Sequence, residues 1–529
     1  MSEGHADIIV IGAGHNGLIV AGYLLKAGFS VLVVEKNPWI GGATSCREVN
    51  GFKLDWASTN HIDIQPNPLL VDDELQLKAK YGLKYIIPEV QMAGPYPDGT
   101  SMIIYRDVEK TVKQVAKLSK KDAQAYRRFA QWGIQCLETI LPGMYNPPPT
   151  LGAIVSELEQ SPDGQELLRA MMMSFGDIVD EWFEDDRVKA LLLHYASELL
   201  LPPWENGTGS VLFIMIPIMH VYGMGCPVGG SGALAEALGR CVEAYGGKIL
   251  TNSPVEKVIV ENGEARGVIL ENGRRLRAEK AVVACLHPKP LFLNMVGEEH
   301  LEPGFVRRVK RVKQSAFSGI NTTYMLNEAP RFKVEEVNEG ANWEISWSLE
   351  DMMELFQDVV FRRVPPEKPC PNVVCWSKLD PSRAPPGKHS LYAISYAPYN
   401  LRDGGPSQWK EIKEEVADSV LESIREHTTN MGSGNILGRL ITTPVDVEEV
   451  ISSNNLLHGD LTGVRATLEQ TFMFRPLISL GNYRTPVGKL YLTGECTHPG
   501  AGVAGGGRAT AQVILQDFGI KFDDVLRKS

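Results

Sequence analysis

Residues 7–17, DIIVIGAGHNG, and the run VLVVEK at 31–36 decide the fold of this 529-residue chain. Asp7 to Ile11 predict a buried parallel strand. Gly12, Gly14 and Gly17 then supply the tight turn, the close backbone approach to a pyrophosphate and the close packing of helix on strand. Leu18, Ala21, Leu24 and Leu25 recur at helical spacing, Gly28 ends the helix, and Val31 to Val34 form a second strand. That helix aims its N-terminus, with free N–H groups and positive dipole, at phosphate. Glu35 follows eighteen residues after Gly17, where a carboxylate accepts hydrogen bonds from ribose hydroxyls and repels a 2′-phosphate. Strand, turn, helix, second strand and acid together predict a dinucleotide site in a Rossmann-type α/β unit.

The residues after Glu35 bear on which dinucleotide. Lys36, Asn37, Pro38 and Trp39 lead to the pair Gly41-Gly42 and then to Ala43, Thr44 and the stretch Gly51-Phe52-x-x-Asp55. A nicotinamide fold does not need this second glycine pair. With it, the chain resembles the FAD-binding half of the flavoprotein oxidoreductases that include phytoene desaturases, carotenoid isomerases and ketolases and, more distantly, amine oxidases. The resemblance implies FAD, with Glu35 and Lys36 at the adenosine ribose and Gly41, Gly42, Ala43 and Thr44 along the pyrophosphate or flavin edge. The alternative is that Gly41 and Gly42 only form a loop.

Two later segments match the same family. Pro227 to Cys285 reads as a glycine-opened helix, a strand entering at Val255, and hairpins turning at Asn262-Gly263 and Asn272-Gly273 between apolar runs. In the family the backbone at the position of Val255 contacts adenine. Near the C-terminus, Leu490 to Thr493 predict a strand, and Gly494-Glu495 match the strand-end pair placed near the ribityl chain and pyrophosphate. The turn that includes Gly502 and Val503 opens a helix whose N-terminal amides would face the flavin O2 and favour negative charge on the reduced ring. One departure stands out. Phytoene desaturases close with a THPGGGVPG-like run, whereas residues 497–505 here read THPGAGVAG, so carotenoid chemistry does not follow. Residues 451–476 resemble a related branch of phytoene-dehydrogenase-like proteins of unassigned substrate.

Together these readings predict a Rossmann-type FAD-binding domain interleaved with an α+β substrate domain. Residues 1–105, 225–300 and 480–529 are assigned to the first, and 106–224 and 301–479 to the second. Residues 110–200 predict helices that cap the substrate cavity, and NTTYML (321–326), NVVCWSKL (372–379) and HSLYAISYA (389–397) predict a floor sheet. The most apolar window, VLFIMIPIMHV (211–221), is too short to span a bilayer and contains Pro217. It reads as a buried element, with a patch peripheral to a membrane as the alternative. GSGNILG (432–438) is a false echo of the first motif, because it follows no β-run and precedes no acid-ended strand. One flavin, re-oxidised by oxygen, a quinone or another diffusible acceptor, is therefore expected.

Composition excludes other classes. The net charge of −11 with no basic stripe argues against nucleic acid. The eight cysteines (46, 136, 226, 241, 285, 370, 375 and 496) show no CxxC and no metal-ligand spacing. They suit free thiols in a cytoplasmic protein, and a strand beginning at residue 7 leaves no room for a signal peptide. His61 and His498, beside cofactor motifs, are the candidates for proton transfer, each with a structural role as the alternative. His220 reads as a satisfied core histidine or a cavity residue, and Arg475 and Arg508 as phosphate or carboxylate ligands or as structural groups. The leading function is an FAD-dependent dehydrogenase or oxidase that moves a hydride from a substrate C–H to flavin N5, on an apolar or amphipathic terpenoid, lipid or cyclic compound. A flavin-dependent isomerase without net oxidation and a flavin-binding interaction protein without turnover are the alternatives. Amine oxidation is disfavoured, because no aromatic pair flanks a recognisable flavin-contacting lysine.

Overall fold

The computed structural model describes residues 4–451, 454–500 and 502–528. Strand β1 (His5–Ile11) leads into helix α1 (His15–Ala27), and β2 (Val31–Val34) follows. Ile8, Ile9 and Val10 are buried on both faces of the sheet, as a near-continuous apolar run requires in a parallel strand. α1 ends where Gly28 adopts φ +108° and donates its N–H to Leu24 and Leu25 carbonyls, a left-handed cap that side-chain-bearing residues resist.

Five strands from distant parts of the chain pair in parallel: Leu490–Thr493, Arg275–Cys285, β1, β2 and Lys248–Leu250. The hairpin of Val255–Glu261 and Glu264–Leu270 continues antiparallel onto Arg275–Cys285. Its turns fall at Asn262-Gly263 and Asn272-Gly273, where the sequence places them. α1 and the helices Gly232–Ala244 and Gly507–Asp517 cover one face. This parallel sheet, with its motif-bearing first crossover, is the Rossmann-type half.

A second seven-stranded sheet runs in the order Ile436–Thr442, Ser318–Leu326, His389–Ala397, Asn372–Val374, Asn342–Glu344, Val90–Pro95 and Ser101–Tyr105. Only the pairing of Asn342–Glu344 with Val90–Pro95 is parallel. This corrects the boundary placed at residue 105. Residues 90–105 leave the nucleotide sheet and close the edge of the second one, a non-local pairing that no local pattern could reveal. GSGNILG contributes Ile436 and its neighbours to this second sheet, so it opens no nucleotide fold.

The helical layer includes Lys120–Tyr145, Phe175–Trp182, Asp186–Ser197 and Leu212–Val221. The last, despite Pro217, is a buried helix packed against Lys120–Tyr145 through Phe129, Trp132 and Phe213. Among the described residues, no helix is long and apolar enough to cross a membrane. The chain thus interleaves a Rossmann-type α/β half with an α+β half.

Candidate functional site

The first crossover builds one end of the site. Gly12 N–H donates to the Val34 carbonyl (2.8 Å), and Glu35 N–H to that of Leu250 (2.8 Å), so the turn and the acid are fixed at adjacent strand ends. Glu35 is 7% exposed; Oε2 accepts from Ala13 N–H and Oε1 from Asn37 N–H, both at 2.8 Å. Burial raises its pKa, and those backbone N–H groups offset part of the effect. Each oxygen keeps lone-pair capacity for a ribose hydroxyl.

A cavity of about 860 Å³, open to solvent, runs along this edge. Gly12, Gly14, Glu35, Lys36, Gly41, Gly42, Ala43, Val255 and Glu495 all line it. Ser253 N–H donates to the Glu35 carbonyl (2.8 Å), which brings the segment entering Val255 alongside. Gly17 does not line the cavity. A Cβ there would sit 2.2 Å from the Gly12 carbonyl oxygen, so its glycine is required by helix-on-turn packing. Gly494, with φ +119°, ends the strand Leu490–Thr493 and delivers Glu495 to the cavity.

A second cavity, about 1130 Å³ and also open, shares Ala43 and Glu495 with the first. Thr44, Gly502 and Val503 line it, together with apolar side chains such as Ile62, Leu200, Met215 and Ile394. Ala501, in the same turn, lies outside the described residues. The two spaces adjoin at Ala43 and Glu495, the first lined by glycines and Glu35 and the second mostly by apolar side chains.

Several observations fit FAD to these adjoining cavities. A Cβ on Gly14 would meet only Cys285 Sγ, at 3.9 Å, so the space in front of the α1 N-terminus is free for a pyrophosphate. Among the described residues, Asn455 Oδ1 and His15 Nε2 are buried without a partner; Asn455 lines the first cavity and His15 the second, each with Glu495. Asn455 Nδ2 donates to Glu495 Oε2 (2.6 Å), and His15 Nδ1 lies 3.7 Å from Oε1. The apolar second space suits a flat ring system. The first turn of the helix Gly507–Asp517 packs on α1, where Gly507 N–H donates to Asn16 Oδ1 (3.0 Å).

The two histidines sit elsewhere. His61 is buried, with Nδ1 2.9 Å from Tyr85 Oη and Nε2 3.0 Å from Ser231 Oγ, and burial lowers its pKa to about 3. His498 Nε2 donates to the Gly143 carbonyl (2.7 Å), and burial lowers its pKa to about 4. Neither lines either cavity, so both brace the loops beside the cavities. His220 is a satisfied core histidine between Tyr126 Oη (2.9 Å) and the Arg106 carbonyl (3.0 Å). Arg475 spends its guanidinium on the carbonyls of Thr462 (2.7 Å) and Glu495 (2.8 Å), and Arg508 pairs with Glu74 (2.7 Å). Neither arginine is left for a ligand.

Sequence reasoning missed the acids of the second cavity. Asp63 and Glu198 line it, and burial raises each pKa to about 7, with Asp63 adding repulsion at Glu198. Asp63 Oδ2 points at the turn of Gly502, where an added Cβ would approach it to 2.9 Å. Asp63 stands two residues after His61, in an IDIQ alternation that carries no motif. Among the described residues no cluster of side chains could hold a metal ion, and all eight cysteines are free.

Comparison with known proteins agrees with this geometry. Residues 10–72 match the model of the NAD(P)-binding Rossmann-like domain. The chain is 31% identical to rat pyridine nucleotide-disulfide oxidoreductase domain-containing protein 2, over 97% of this chain and 94% of that protein. It is 26% identical to one of the subunits of limonene dehydrogenase from Castellaniella defragrans (97% and 95%). To the lycopene-forming phytoene desaturase of Pseudescherichia vulneris it is 23% identical (96% and 99%). A solved oxidoreductase from Methanosarcina mazei shares the fold, with TM-score 0.60 at 20% identity over 97% of this chain and 99% of that one. The chain therefore belongs to the FAD-dependent oxidoreductase family that includes the phytoene desaturases and pyridine nucleotide-disulfide oxidoreductase domain-containing protein 2.

Proposed function

We propose that the protein dehydrogenates an apolar or amphipathic substrate, of terpenoid, lipid or cyclic type, bound in the second cavity. The observation that carries the reading is that the glycine-lined and apolar cavities adjoin, with Ala43 and Glu495 lining both. Bound FAD supplies a hydride acceptor at N5. Glu35 holds the ribose, the α1 N-terminus holds the pyrophosphate, and Val255 flanks the adenine. Thr44, Gly502 and Val503 border the ring end. Two relatives, a limonene dehydrogenase component and a phytoene desaturase, support hydrocarbon-like substrates.

Inserting a double bond removes a hydride from one carbon and a proton from its neighbour. Asp63 takes the proton. It faces the cavity beside the Gly502 turn, and a carboxyl titrating at about 7 is matched to proton transfer near neutral pH. His61 and His498 brace the surrounding loops. The apolar walls exclude water from the reacting carbons. With a single dinucleotide motif in the chain, electrons leave through oxygen, a quinone or another diffusible acceptor.

The carboxylate form of Asp63 is the active base, so flavin reduction should accelerate as pH rises through about 7 and then level off. Asp63→Asn should remove that limb and slow reduction by roughly 10²–10⁴-fold, as followed by anaerobic rapid mixing. An unchanged pH limb in the variant would remove Asp63 from the chemistry.

A further inference from the structure

The wall of the second cavity carries a polar group that hydride transfer does not need. Glu198, at the end of the helix Asp186–Ser197, lies close enough to Glu344 from the strand Asn342–Glu344 for the two buried carboxyls to perturb each other. Behind them, Glu344 Oε1 accepts from Asn372 Nδ2 (2.7 Å), and Oε2 lies 3.3 Å from His194 Nδ1. Burial keeps His194 neutral at physiological pH. Beside this pair stands Tyr195, 1% exposed and lining the cavity, whose Oη has no partner among the described residues. A hydroxyl buried in this way costs free energy until a ligand completes it.

We infer that Glu198, backed by Glu344, and Tyr195 form a polar anchor that holds a keto or hydroxyl oxygen of an otherwise apolar substrate. The proposal rests on the dehydrogenase reading and narrows its substrate class. Both groups present protons. Burial and the crowding of two carboxyls raise the pKa of both Glu198 and Glu344, which favours a proton kept within the pair, and the tyrosine hydroxyl is a donor without a partner among the described residues. Two donors lining one cavity suit an acceptor oxygen, whereas an ammonium would bring more donors and no acceptor. Among the described residues no lysine or arginine lines the cavity, so a carboxylate or phosphate would enter unpaired beside Asp63 and Glu198.

The test uses the FAD-loaded full chain and reads shifts of the flavin absorption on anaerobic titration with matched probes: menthone, menthol, p-menthane, menthylamine and p-menthane-7-carboxylate. Menthone and menthol should bind roughly tenfold or more tightly than p-menthane. Tyr195→Phe, which deletes only the unpartnered oxygen, and Glu198→Leu should each erode that preference while leaving p-menthane affinity unchanged. Glu198→Gln, which keeps a donor, should retain most of it. Equal affinity for p-menthane and menthone, with flavin reduction by either, would overturn the anchor and leave the dehydrogenase standing. Tightest binding by the amine or the carboxylate would overturn the anchor as well. No flavin response to any probe would count against both.

Discussion

Gly14→Val should yield a folded protein without flavin. The position has φ −64°, an ordinary value, and an added side chain would meet only Cys285 Sγ at 3.9 Å, so neither strain nor protein contact opposes valine. The methyl groups instead enter the space before the α1 N-terminus, where we propose the pyrophosphate binds. Loss of that contact removes several charge-assisted hydrogen bonds at once, each worth about 1.5–3 kcal/mol, so flavin content should fall to background. Circular dichroism should match the wild type, and absorption of the purified protein should lack the flavin bands. Gly17→Ala is the contrasting case. Its Cβ would collide with the Gly12 carbonyl oxygen at 2.2 Å, so loss of flavin there should come with loss of folding.

Arg383→Met should be strongly destabilising. Arg383 and Asp55 are each about 3% exposed and meet at 2.8 Å. Arg383 also donates to Cys226 Sγ (3.2 Å) and the Pro227 carbonyl (3.1 Å), and Asp55 accepts from Ser231 N–H (2.9 Å). The pair thereby ties the strand Phe52–Asp55 to the segment that opens the helix Gly232–Ala244, and through Ser231 to His61. Removing the cation leaves a buried carboxylate uncompensated, at a cost of about 3–5 kcal/mol in denaturant unfolding at neutral pH. The sign with pH is fixed by Asp55. Burial alone would raise its pKa, but Arg383 and the hydrogen bonds around it hold it below the ordinary value. In the wild type that stability is present above the ordinary carboxylate pKa and is lost as pH falls through the depressed one. The variant's unpaired Asp55 gains from protonation, so the gap between the two proteins should narrow on acidification. A gap that widens in acid would mean the pair is not what Arg383 contributes.

Local signals made the nucleotide half legible. The run Asp7–Gly17, the acid at 35, the strand Val31–Val34 and the Asn-Gly turns each encode their own conformation within a few residues, and they appear where the sequence puts them. The strand Leu490–Thr493 is likewise bounded as its apolar run predicts. The second sheet was legible only in part. Residues 318–397 show β-type runs, yet the edge strands at 90–105 belong to it through the pairing of Ala93 with Trp343, a contact between remote parts of the chain that has no local signature.

The chemistry of the cavity was least legible. His61 and His498 sit beside cofactor motifs, which is why sequence alone favours them, but their ring nitrogens are taken up by Tyr85, Ser231 and the Gly143 carbonyl. Asp63, Glu198, Tyr195 and Glu344 come from a loop, a helix end and a strand, and only tertiary packing brings them together. Arg475 illustrates the same limit. Its conspicuous FRP setting suggested a ligand contact, whereas burial commits the guanidinium to backbone carbonyls that hold the loop of Glu495.

The central claim is that one bound flavin takes electrons from a substrate in the adjoining apolar cavity. The most direct measurement is anaerobic titration of the FAD-loaded protein with candidate terpenoid, lipid and cyclic substrates, followed by analysis of the product. The account predicts bleaching of the flavin by one equivalent of substrate, with a new double bond in the product and recovery of colour when an acceptor is admitted. Product formed in the absence of acceptor with the flavin unbleached, or a flavin that no substrate class reduces, would contradict it.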